Sequence, residues 1–60
     1  MILCLHFAGD GGTIFINFSH VKAFVQTDKG TMICMDSGAE TFTVVESAAV
    51  IFEMLKGAGK

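Results

Sequence analysis

The chain has no arginine. Its only basic residues besides histidine are four lysines among 60 residues, Lys22, Lys29, Lys56 and Lys60, and the formal net charge is −2 with histidine neutral. A nucleic-acid binder displaces counterions from phosphate with a basic face. Four scattered lysines do not make one, so nucleic acid is not expected as a partner. Charged residues of both signs amount to 17%, against roughly 25% in typical globular domains. Long apolar runs are missing too. No stretch approaches the roughly 18 residues of a spanning helix, so no membrane insertion is expected. The start "MILCLHF" has no basic n-region and no long apolar core, and "MILC" leaves no room for a signal peptide upstream of a lipidated Cys4. Cys4 and Cys34 lie far apart in apolar runs. With no export signal they are read as small buried or half-buried hydrophobes in a reducing compartment, and the expected location is cytoplasmic.

What the chain does have is grease. The hydrophobic fraction is 52%, with six Phe and four Met. That excludes disorder, which goes with few apolar residues. The length allows one domain, residues 1–60. A domain this small buries only about 60% of its unfolded surface, while ordering it costs roughly 1.5 kcal/mol per residue. Disulfides, a metal or self-association commonly make up the difference, and this composition points to the last.

Strand patterns fill the first three quarters of the chain. "MILCLHF" is an apolar run, and "AGDGGT" follows with Gly9, Asp10, Gly11 and Gly12 suited to a tight turn. "TIFINF" resumes the pattern, which predicts a hairpin with Ile14 and Ile16 on one face and Phe15 and Asn17 on the other. After a turn at Asn17 to His20, Val21, Ala23 and Val25 alternate with Lys22, Phe24 and Gln26, a third strand with one face partly wet. Asp28, Lys29 and Gly30 make the next turn, "TMICMD" the fourth strand, Ser37 and Gly38 a break, and the β-branched "ETFTVV" the fifth strand. The expectation is an α+β fold: a five-stranded antiparallel meander, a curled sheet or small half-barrel, with one C-terminal helix.

That helix is read from "ESAAVIFEMLKG". Ser47 is the expected N-cap, Glu46 suits the positive end of the helix dipole, and Gly57 is the expected stop. At 100° per residue, Val50, Met54, Ile51, Leu55, Ala48 and Phe52 fall within an arc of about 200°, whereas a helix on one sheet needs an apolar stripe of roughly 100°. Leaving Val50 or Met54 fully exposed forgoes about 1.5–3 kcal/mol each. The expected interface is therefore Val50, Phe52 and Met54, and the expected partners are further copies of the chain, as a homo-oligomer, and an unknown protein.

Chemical motifs are absent. Zinc ligands usually come in local pairs such as C-x₂₋₄-C or H-x₃₋₅-H, and here only Cys4 and His6 are close, one residue apart on one strand face. His6 is read as a partly buried polar residue and His20 as a turn residue. Cysteines inside apolar strands are poor nucleophiles. Asp10, Asp28 and Asp36 read as turn formers, and no two carboxylates pair in sequence. "GDGGTI" fails the dinucleotide pattern at Ile14 and lacks a Walker lysine. "KAFVQT" matches the end of an RNA-binding strand motif only at Phe24; with Phe15 it would form a stacking face if both were exposed. No catalytic residue, cofactor or metal is expected, and the chain is read as not an enzyme.

One resemblance runs from Asn17 onward. Asn17, Val21 and Phe24, then Thr31, Ile33, Met35 and Gly38, then Val44, Glu46 and Ser47 follow the order of signals in the short FlbD/SwrD-like flagellar accessory proteins of bacteria. That pattern is an "N…I…I" strand, a "T-x-I-x-L-x-x-G" strand and turn, and a "V-x-E-S" lead into a final amphipathic helix. The "GDGG" loop, the missing proline near Asp28 and an extra residue before "ES" depart from it. The resemblance implies an accessory role near the flagellar motor and carries no catalytic residues. The function expected is a non-enzymatic interaction or scaffold module that self-associates through its helix. The alternative is a small-barrel nucleic-acid-binding protein in which oligomerisation gathers the few lysines into a ring.

Overall fold

The computed structural model describes residues 1–38 and 40–58. Five strands, β1 (Ile2–His6), β2 (Thr13–Asn17), β3 (Val21–Thr27), β4 (Gly30–Met35) and β5 (Thr41–Val44), precede one helix, α1 (Ala48–Ala58). A 3₁₀ turn at Phe18–His20 joins β2 to β3. The fold is α+β with antiparallel strands, and no helix among the described residues is long and apolar enough to cross a membrane.

The single five-stranded meander expected from the sequence is not what forms. The strands divide into a two-stranded sheet, β1-β2, and a three-stranded sheet, β3-β4-β5. The cause lies in two places. At the first, the side chain of Asn17, the last residue of β2, accepts a hydrogen bond from the Ser19 N–H at 3.0 Å, and Phe18–His20 wind into a 3₁₀ turn. This short-range capping competes with strand extension, so β2 and β3 are consecutive but unpaired. At the second, β5 turns away into the helix after meeting the end of β1. The two sheets touch there through an isolated antiparallel bridge, Phe7 with Val44. Val45 N–H donates to His6 O at 2.8 Å and Ala8 N–H to Thr43 O at 2.9 Å. The joined order is β2-β1-β5-β4-β3, with β2 and β3 outermost.

Strand periodicity explains the core. In β1, Leu3 and Leu5 are buried while Ile2, Cys4 and His6 face outward; in β2, Ile16 is buried and Ile14 half-buried while Phe15 and Asn17 face outward. These join Ile33, Val44 and Ile51, so each sheet and the helix contribute to one cluster. Cys34 is half-buried, but Cys4 is exposed, against the expectation for it. The alternation of "ILCLH" puts one of its two apolar rows outside.

Strand β3 departs from its expected faces. The register with β4 slips between Val21 and Ala23, a bulge centred on Lys22. The extra residue flips the pleat, so Val21 and Phe24 both turn partly inward while Val25 stays 48% exposed. Phe24 then packs edge-on against Phe18, centroids 6.0 Å apart. Gly57 likewise does not stop the helix, which runs on to Ala58; its φ is not positive, so no left-handed cap forms there.

Thr27 to Gly30 closes the β3-β4 hairpin, and Gly30 has a φ of +131°. A Cβ at Gly30 would stand 2.0 Å from the Val44 carbonyl oxygen, a main-chain atom that cannot swing aside. Gly30→Ala is therefore expected to destabilise by at least about 2–3 kcal/mol, most of what a chain this size has to spare. Urea denaturation checks this, and a midpoint within error of the parent would refute the close approach.

Candidate functional site

The site is built around the place where β5 becomes α1. A strand that ends leaves its neighbour's main chain unpaired. Past Val45 the chain no longer runs beside β1, and the Glu46 side chain takes over. Its Oε1 accepts the His6 main-chain N–H at 3.0 Å and its Oε2 lies 2.7 Å from His6 Nδ1. The Glu46 side chain is 14% exposed and that of His6 47%. Burial by itself would push the Glu46 carboxyl up. Hydrogen bonds from the His6 ring, the His6 N–H and its own main chain outweigh that, and hold it below its ordinary value.

Two further contacts fix the start of the helix. Thr31, fully buried, donates its hydroxyl to Glu46 O at 2.8 Å. Ser47 Oγ accepts the Val50 N–H at 3.2 Å, and Gln26 Oε1 accepts the Ala48 N–H at 2.8 Å. Ser47 thus caps the helix as expected, and a second side chain, reaching from β3, satisfies another orphan donor. The Gln26 amide nitrogen also bonds Thr27 O and Gly30 O, each at 2.9 Å, which ties the helix to the hairpin turn.

Held this way, α1 points Ile51 into the core with no exposure, with Leu55 partly buried beside it. Ala48 and Leu55 lie on the side toward β3. On a 100° helical wheel this puts Phe52 on the β3 flank and Val50 and Met54 on the opposite one. All three remain outside: Phe52 is 56% exposed, Val50 45% and Met54 36%. Lys56 Nζ stands 5.8 Å from the Phe52 ring centroid and 3.6 Å from Glu53 Oε2. One buried residue, Ile51, anchors the helix with half-buried Leu55 beside it, and the excess apolar arc read from the sequence stays uncovered.

Between α1 and the start of β3 runs an apolar groove of about 350 Å³ lined by Phe18, Val21, Ala23, Phe24 and Leu55, with Lys22 at its side. A second exposed apolar area lies on the outer face of the β1-β2 hairpin. There Phe15 is 70% exposed and Ile2 64%, and Cys4 sits directly across from Phe15. Phe15 and Phe24 do not share a face, so they do not form a two-ring stacking platform.

The histidines and cysteines are not gathered. Cys4 and His6 share the outer face of β1, His20 lies 3.9 Å from Asp36 across the 3₁₀ turn, and Cys34 belongs to β4. Among the described residues no group of three or more potential metal ligands converges. Lys60 lies outside the described residues. Sequence reading missed the Glu46–His6 pair and the outward Phe15–Ile2 area. For the second a signal existed: His6 on the even face of β1 marks that face as the wet one, and Ile2 and Cys4 share it. No family model, curated protein or solved structure matches the chain.

Glu46 has a lowered folded-state pKa, so its stabilisation is fully present above its ordinary value of 4.5 and is lost as pH falls through the folded value. At neutral pH the Glu46→Gln variant is expected to be less stable by about 1 kcal/mol, a charge-assisted bond discounted for solvent at His6. Denaturation across pH should show this gap closing below about pH 4.5. A gap that stays constant down to about pH 3 would contradict the assignment.

Proposed function

We propose that the protein is a non-enzymatic interaction or scaffold module that self-associates through the exposed flanks of α1, Val50, Phe52 and Met54. The observation that carries this reading is that the helix, anchored by Ile51, leaves three large apolar side chains outside. Such a surface is stabilised when a second molecule covers it. The residues shared with the FlbD/SwrD-like pattern support an accessory role near the flagellar motor, on the cytoplasmic side of a bacterial cell. Glu46, Ser47, Thr31 and Val44, all part of that resemblance, are the residues that place the helix. The resemblance thus falls on what positions the proposed interface.

The nucleic-acid reading is the weaker one. Lys22 sits at a bulge, Lys29 in a turn and Lys56 beside Glu53, so the protomer presents no basic stripe.

Light scattering at micromolar concentration is expected to give a mass above that of one chain. Met54→Glu, which puts a charge into the contact, is expected to lower that mass at least by half and to loosen the fold in part. An unchanged mass for Met54→Glu, or a monomeric parent, would remove the reading. Strongly salt-dependent binding of a random oligonucleotide would favour the alternative.

A further inference from the structure

The outer strand β2 has the features of an edge built to pair. Its main-chain hydrogen bonds to β1 follow from the flanking ones, Phe7 N–H to Gly12 O and Phe18 N–H to Met1 O, both at 2.8 Å. With the unbroken register Cys4 to Phe15 and Leu5 to Ile14, alternation sends the N–H and C=O of Ile14 and Ile16 toward β1 and those of Thr13, Phe15 and Asn17 away from it. Among the described residues no partner meets the outward main-chain groups of Thr13 and Phe15, while the Asn17 carbonyl accepts the first hydrogen bond of the 3₁₀ turn. Natural edges are usually blunted by charge, proline or a bulge. Strand β2, "TIFIN", carries none of these. The other outer strand, β3, carries a bulge at Lys22, and α1 packs against it.

We infer that β2 of one chain pairs antiparallel with β2 of a second copy, across a two-fold axis at Phe15. The occupant is another copy because the edge is complementary to itself. Phe15 is the central residue of the strand, so turning the strand end for end puts Phe15 opposite Phe15 and Thr13 opposite Asn17. About four main-chain hydrogen bonds form without a register slip, the Asn17 carbonyl of each copy being held by its own 3₁₀ turn. The two rings then lie side by side on the outer face, next to Cys4 and Ile2 of each hairpin, as an aromatic cross-strand pair. No like charges meet, because the strand has none.

Surface area calls for more contact than the helix flanks supply. An exposed aromatic side chain carries about 150–250 Å². At the exposures found, Val50, Phe52 and Met54 together offer on the order of 300 Å². A stable interface takes roughly 800 Å² per partner, so the helix flanks alone fall well short. The β2 contact lies on a different surface and has its own two-fold axis. It stands independently of the helix contact, and where both form, the assembly passes beyond a dimer.

The test is disulfide trapping in the full chain. In a hydrogen-bonded antiparallel pair the facing Cα atoms are about 5.5 Å apart, inside the 4.4–6.8 Å range for a disulfide. Phe15→Cys in a Cys4→Ser background, which removes the intramolecular partner across the hairpin, is expected to give a covalent dimer under mild oxidation at micromolar concentration. Cys4→Ser alone should not. The same cross-link is expected when Met54→Glu is added, while Phe15→Lys in the otherwise native chain is expected to lower the mass by half or more with its circular dichroism retained. No cross-link from folded Phe15→Cys protein, or a mass unchanged by Phe15→Lys, overturns the β2 pairing whatever Met54→Glu does. A cross-link that survives when Met54→Glu has no effect on the mass leaves the β2 pairing standing and removes the helix reading.

Discussion

A single carboxylate stands at the seam of this molecule. Two small sheets meet along little more than one residue pair, Phe7 with Val44, and the chain then has to leave the sheet to form a helix. An abrupt departure would leave the His6 N–H without a protein partner at a solvent-reached edge, at a cost of about 1 kcal/mol. Glu46 removes that cost by offering a side-chain acceptor where the next residue of a strand would have been. Its carbonyl is held at the same time by the buried Thr31 hydroxyl. The carboxylate and the carbonyl of one residue therefore grip β1 and β4 together, so the direction in which α1 sets off follows from both sheets.

The exposed flanks depend on that direction. Ile51 is the only helix residue with full burial among those described, so one side chain sets the roll of α1 about its axis. Ser47 and Gln26 satisfy the first free N–H groups and fix where the helix begins. Position and roll together leave Val50 and Met54 on one side and Phe52 on the other. A chain of this size has too few strands to cover a helix on three sides, because the fraction of surface that can be buried falls with length.

Much of the fold was legible because its signals are local. The five strand segments, the glycine turns and the Ser47 cap follow from periodicity and turn chemistry within a few residues. Phe15, Ile16 and Asn17 lie on the faces that simple alternation assigns. Apart from Gly57, which the helix runs past, the failures are non-local or depend on insertion of one residue. Alternation in "VKAFVQT" is read correctly only as far as Lys22, where the bulge reverses inside and outside. Strand order was misjudged because the Asn17–His20 turn reads equally as a hairpin loop and as a passage between sheets; the choice also depends on β1 meeting β5 some 40 residues on in sequence, the separation of His6 and Glu46. The candidate interface was legible in its helix half, since an arc of apolar residues is a property of one segment. The hairpin half was harder to read because both rows of β1 are largely apolar, and His6 alone marks the row that faces outward.

The two outer strands show how the same chain treats its two edges differently. β3 is twisted by a bulge, carries Lys22 and lends Gln26 to the helix, so pairing at that edge would have to undo contacts already made. β2 has less to lose, since the outward main-chain groups of Thr13 and Phe15 meet no partner among the described residues. Low charge strengthens the contrast. With a net charge of −2 and no charged residue in β2, approach of two copies meets little electrostatic opposition. Because an isologous contact uses the same patch on both partners, one two-fold contact closes after two chains. Two such contacts on separate surfaces close only if their axes intersect, and otherwise extend. The angle between β2 and α1, set at the Glu46 seam, thus decides whether a chain with both surfaces builds a closed assembly or a filament.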